Sequence, residues 1–119
     1  VFEEFIVTLK RHFGARAGVA TKNLGLLRQQ CLKWGLEIPV VLTHVNRVGY
    51  HMNPSIAAHE RELQSTPFEI MAMGALASGY LQPIDAAQYI RQFSSIKSVV
   101  IGVSSREHIA QTFPLFLGI

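Results

Sequence analysis

Four times along the chain a short apolar run gives way, after a brief loop, to an amphipathic stretch with helical spacing. The runs cover residues 16–21, 40–45, 68–73 and 98–103. Strands joined through a helix by such short links cannot return antiparallel. They predict an α/β chain with one parallel sheet and helices packed against it. Four βα units in sequence order are half of a TIM-type barrel, and residues 1–119 read as a single unit of that kind. A whole barrel takes about 250 residues, so the preceding half is expected from elsewhere, either an N-terminal half barrel or a second copy of the chain. Composition agrees: 49% of residues are hydrophobic and only 16% charged, against about 25% charged in an ordinary soluble domain. Such a balance suits surface that something else covers, and a start at Val1 suits a fragment or a processed chain.

Several classes of function fit the sequence poorly. No apolar run approaches the ~20 residues of a membrane span, and no basic-plus-apolar leader opens the chain, so no membrane association is expected. A net charge of +3 is spread over Lys10, Arg11, Arg16, Lys22, Arg28, Lys33 and Arg47 and onward without a cluster, which is not the footprint of a nucleic-acid binder. The one cysteine, Cys31, excludes an internal disulfide and fits a reducing, cytoplasmic setting; it falls on the apolar stripe of a predicted helix. His51 and His59 share no ligand spacing with Cys31 or the acids, so no metal is expected. Acidic residues are nearly absent near the strand ends, which disfavours metal-dependent enolisation and glycoside hydrolysis, and no serine sits in a nucleophile elbow.

Local signals place the helices. Phe2, Phe5, Ile6, Leu9 and Phe13 form a stripe with acids at its start, bases at its end and Gly14 after it. Leu24, Leu27, Cys31 and Leu32 form the next stripe, which Gly35 ends. Pro39 is expected to open the second strand. Asn53-Pro54 reads as a cap followed by a first-turn proline, with Ile56, Glu60 and Leu63 on one side of the helix. Pro83 starts the helix that turns Ala86, Tyr89, Ile90 and Phe93 inward, and Ser104 with Glu107 has capping-box spacing.

Three places offer chemistry. At Gly102-Val103-Ser104-Ser105-Arg106-Glu107, small residues, two hydroxyls, a fixed charge and a helix N-terminus suit an anion; ordinary helix capping is the simpler alternative. Leu76-Ala77-Ser78-Gly79 is a small, flexible loop able to wrap a phosphate, or a tight connection that needs glycine. His44 and Asn46 stand near the end of the second strand, where an acid–base group or an amide ligand would sit, or where a structural histidine and a loop cap would.

The stretches Met71–Leu81 and Val99–Ile109 resemble the seventh and eighth strands of the aldo-keto reductase family. Residues 40–46 resemble the sixth, with Asn46 at that family's Tyr-Asn position. The resemblance implies a (β/α)8 barrel whose second half holds NADP(H). Leu76, Ser78 and Gly79 would line the pyrophosphate, and Gly102, Ser104, Ser105 and Arg106 the adenosine-side phosphate. The family's catalytic Asp, Tyr, Lys and His lie on earlier strands, so no catalytic residue is expected in residues 1–119. The chain departs from the family at Met73, where an aromatic residue stacks on nicotinamide, at Gly74-Ala75 in place of Ser-Pro, and at Gln111-Thr112 in place of Glu-Asn. Two further readings stand beside NADP(H)-dependent carbonyl reduction. One is a non-catalytic binding or assembly module that keeps the barrel fold; the other is a barrel enzyme of different chemistry that shares only the phosphate loops.

Overall fold

A computed structural model describes residues 1–38 and 40–119; the strand start expected at Pro39 lies outside the described residues. Helix α1 (Phe2–Phe13) comes first. It is followed by β1 (Gly18–Thr21), α2 (Leu24–Trp34), β2 (Val40–His44), α3 (Ile56–Ser65), β3 (Glu69–Met73), α4 (Pro83–Ile90), β4 (Ile96–Val99) and α5 (Arg106–Phe116). The four strands form one parallel sheet in the order β1-β2-β3-β4, as the strand–helix rhythm predicts. No helix is long and apolar enough to cross a membrane among the described residues.

Register explains the sheet's two faces. Side chains alternate across a strand, so Val41 and Thr43 share a face with their β3 partners Ile70 and Ala72. All four are fully buried. Val41, Ile70, Ala72 and Ile96 belong to one core with Leu24, Cys31, Leu63, Ala86, Ile90 and Phe116 from the helices. The other face carries Leu42, His44, Met71 and Met73, all only partly buried, and the exposed Ala20. An apolar sheet face without a helical layer over it keeps the molecule extended. Its radius of gyration is 15.1 Å, above the about 13.5 Å of a closed domain of this length.

Helix ends follow local chemistry. Gly14 (φ 60°) and Gly35 (φ 62°) close α1 and α2 in the left-handed conformation that glycine takes without a Cβ clash. Asn23 caps α2 by accepting from the Leu26 N–H at 3.0 Å. Pro83 takes the first position of α4, and Ala86, Tyr89, Ile90 and Phe93 are buried as expected. α1 buries none of its residues, leaving Phe5 and Phe13 exposed. Across the helical layer, Arg28 on α2 donates two hydrogen bonds to Glu62 on α3 at 2.7 and 3.0 Å, and Tyr89 on α4 donates to Glu60 on α3 at 2.8 Å.

The structure corrects four expectations. β4 spans Ile96–Val99 rather than residues 98–103, because a strand extends only while its neighbour pairs with it. β3 ends at Met73, Gly74 turns away at φ 64°, and the last ladder bond runs from Val100 N–H to Ala72 C=O at 2.8 Å. The cap of α3 is Ser55, which accepts from Ala58 N–H at 3.2 Å; Asn53 lies two residues before it. The cap of α5 is Ser105, accepting from His108 N–H at 3.2 Å, so Ser104 and Glu107 do not form a capping box. Leu32 is 72% exposed, since it lies one residue, or about 100°, past the buried Cys31.

Candidate functional site: the C-terminal edge of the sheet

Parallel strands place all their C-terminal ends at one edge. Four links leave that edge: residues 22–23, 45–55, 74–82 and 100–105. None of them contains Asp or Glu, whereas they carry Lys22, Arg47 and His51, with Arg106 opening α5 directly after the last. Glu107 beside Arg106 and Asp85 in the first turn of α4 are acids at the adjoining helix starts, so it is the links themselves whose charge favours anions.

The link after β2 is held by Asn46, which is fully buried. Its Oδ1 accepts from Tyr50 N–H at 2.8 Å and its Nδ2 donates to Tyr50 C=O at 2.8 Å. Val45 N–H donates to Met73 C=O at 3.0 Å and Asn53 N–H to Lys22 C=O at 2.9 Å, so the link is tied to both neighbouring strands' ends. With both amide atoms committed to its own loop and no surface exposed, Asn46 is a staple and leaves no group for a ligand. The loop it folds presents Tyr50 and His51, the latter at φ 58°.

That presentation builds an aromatic corner with His44, the last residue of β2. The His44 and His51 rings lie 4.9 Å apart at 66°, His44 and Tyr50 6.1 Å apart at 78°, and Tyr50 and His51 4.0 Å apart at 48°. Gly74 makes room for His44: a Cβ there would lie 2.6 Å from its Cδ2. His44 Nδ1 is buried without a hydrogen-bond partner. Burial lowers the pKa of His44, and the basic neighbours His51, Lys22 and His59 lower it further to the extent that they carry charge.

His59 on α3 lies one layer deeper, 1% exposed. Thr43 Oγ1 donates to Thr21 C=O at 2.8 Å, so its contact of 3.3 Å with His59 Nε2 is one in which the hydroxyl accepts and Nε2 carries the proton. Burial lowers the pKa of His59, against backbone carbonyls of Asn53 and His44 and the Glu62 charge, which raise it. This is a neutral, structural histidine.

The link after β3 turns tightly. Ala77, Ser78 and Gly79 are successively left-handed at φ 46°, 58° and 86°, held by Gly79 N–H to Leu76 C=O and Leu81 N–H to Leu76 C=O, both 3.0 Å. Ser78 and Gly79 are exposed, while Leu76 packs its side chain against the core. In the link after β4, Gly102, Ser104 and Arg106 are exposed and Ser105 is partly so. Ser104 Oγ and His108 Nδ1 lie 2.9 Å apart. Arg106 has no ion-pair partner among the described residues.

Of the residues singled out in the sequence, Leu76, Ser78, Gly79, Gly102, Ser104, Ser105 and Arg106 thus follow neighbouring strands at the same edge, and Asn46 is withdrawn from it. Tyr50 and His51 carried no site signal of their own, because only the Asn46 staple folds their loop back over His44, and Lys22 lies in the link after β1, which Asn53 N–H ties to that loop. Among the described residues, no three His, Cys, Asp or Glu side chains are grouped to hold a metal ion. A cavity of about 860 Å³ lies at the opposite edge between α1 and the strand starts, lined by Ile6, Lys10, Arg16, Glu37 and Phe68 among others. Its mixed charges and its distance from the C-terminal links set it apart from the site. No family model, curated protein or solved structure matches the chain.

Proposed function

We propose that this chain is the C-terminal half of an aldo-keto-reductase-like (β/α)8 barrel and binds a phosphate-bearing ligand at the C-terminal edge of its sheet. The observation that carries this reading is the edge itself: four links free of carboxylate, with Lys22, Arg47, His51 and Arg106 among or beside them. The phosphate end of NADP(H) suits these residues. Ser78, Gly79 and Ser104 offer exposed small surfaces on neighbouring links, the backbone of Leu76 anchors the turn of the first, and Gly102 and Ser105 shape the second. Arg106, exposed and without an ion-pair partner among the described residues, is suited to a 2′-phosphate through charge-assisted hydrogen bonds. The nicotinamide end suits them less: Met73 offers no ring to stack on, and the Asn46 amide is spent inside its loop. The groups that would perform reduction belong to the other half of the barrel.

The uncovered sheet face and the unpaired edges at β1 and β4 support a second half barrel, from the same polypeptide or another copy, as partner. Titrating NADP⁺ and NAD⁺ into the full-length protein and its Arg106→Ala variant tests the ligand. The variant should weaken NADP⁺ by about 1–3 kcal/mol and leave NAD⁺ unchanged. Equal affinities for the two nucleotides, insensitive to the substitution, would remove Arg106 from the site, and no binding of either would return Ser104–Arg106 to helix capping.

A further inference from the structure

The aromatic corner after β2 is absorbed by neither the phosphate links nor the core. Its two outer imidazoles make no hydrogen bond among the described residues, although each lies against other rings. Of their ring nitrogens only His44 Nδ1 is both buried and unpartnered, as His59 Nδ1 also is; the others are open to a ligand. In neutral His44 the proton belongs on one nitrogen only. Nδ1 is buried and faces no acceptor, so the proton is better placed on Nε2, which is not buried and can donate outward. His51, partly exposed and fixed by a left-handed backbone, stands beside it with ring nitrogens of its own. Lys22 adds charge at the same corner, where its carbonyl holds the Asn53 N–H of the His51 loop at 2.9 Å.

We infer that His44 and His51, with Lys22 beside them, form an oxyanion-binding pair that takes a tetrahedral, doubly charged group such as the phosphate of a small ester. The inference rests on the proposed function only for the anionic preference of the edge. The surroundings select the sign of the ligand. His44 faces His51, Lys22 and, from α3, His59, all basic, and the Glu62 carboxylate that acts on His59 is held by Arg28. Positive neighbours disfavour the imidazolium in the free protein, and an oxyanion between the rings reverses that. Its binding therefore strengthens as pH falls toward the lowered pKa of His44.

Inorganic sulfate is the suitable probe, because its charge does not change with that fall in pH. Imidazole ¹⁵N resonances of the full-length protein should shift on sulfate addition for His44 and His51 and stay fixed for the buried His59. The affinity should rise several-fold from pH 8 to 5.5. His51→Gln, on a residue whose side chain makes no hydrogen bond among the described residues, should leave the fold intact and lower sulfate affinity at least several-fold. Sulfate that shifts neither imidazole, an affinity independent of pH, or an equal response to acetate would overturn the pair as assigned. Backbone amides of Ser104–Glu107 report the other reading separately. Shifts there without imidazole shifts would sink this inference alone, imidazole shifts without them would sink the Ser104–Arg106 phosphate site alone, and silence at both would sink both.

Discussion

Gly74 is where backbone conformation, sheet edge and candidate site meet, and Gly74→Ala is the substitution from which most can be learned. Two costs arise. An alanine at φ 64° enters the left-handed region, at about 1–2 kcal/mol, offset in part by the lower entropy of the unfolded chain. The new Cβ would also lie 2.6 Å from His44 Cδ2, so the imidazole must leave its rotamer, at a further cost of about 0.5–1.5 kcal/mol. Gly14→Ala isolates the first cost, since Gly14 has nearly the same φ, 60°, with nothing within 4 Å of its would-be Cβ. Gly74→Ala should therefore exceed Gly14→Ala by about 1 kcal/mol. With a urea slope of about 1–3 kcal/mol/M, the two unfolding midpoints should separate by about 0.3–1 M. The ring resonances of His44 should move in Gly74→Ala alone. Equal midpoints, or a His44 ring unmoved in Gly74→Ala, would refute the packing of His44 on the Gly74 backbone.

His59 makes a pH-dependent contribution. Its pKa is lowered in the folded chain, so its stabilisation is complete above the unfolded value near 6.5 and declines as pH falls below it. Between pH 6.5 and 5 the loss can reach at most about 2 kcal/mol, and His59→Gln should remove it from urea midpoints measured across that range; an unchanged slope would exclude His59 as the cause. Leu63, fully buried on the inner side of α3, should cost about 2–5 kcal/mol when replaced by alanine, read by thermal or urea unfolding, and a cost under about 1 kcal/mol would mean the site collapses around the gap.

What the sequence determined by itself was whatever depends on residues close together in the chain. The α1 stripe with its charge gradient and Gly14, the start of α4 at Pro83 and the runs that became β2 and β3 are local patterns, and the repeated strand–helix alternation leaves a parallel sheet as the only short route between strands. Tertiary structure decided whatever depends on a neighbour. β4 ends where β3 stops pairing, so the apolar residues Val100, Ile101 and Val103 fall in a loop despite reading as strand. Ser55 and Ser105, rather than Asn53 and Ser104, became caps, because the direction in which the chain enters each helix chooses among adjacent candidates. Asn46 looked available to a ligand until its amide closed on the Tyr50 backbone, and that closure set His51 against His44. The pairing of two imidazoles seven residues apart was invisible in the sequence because it depends on one loop turning back and on a glycine of the next strand's end leaving space for the ring.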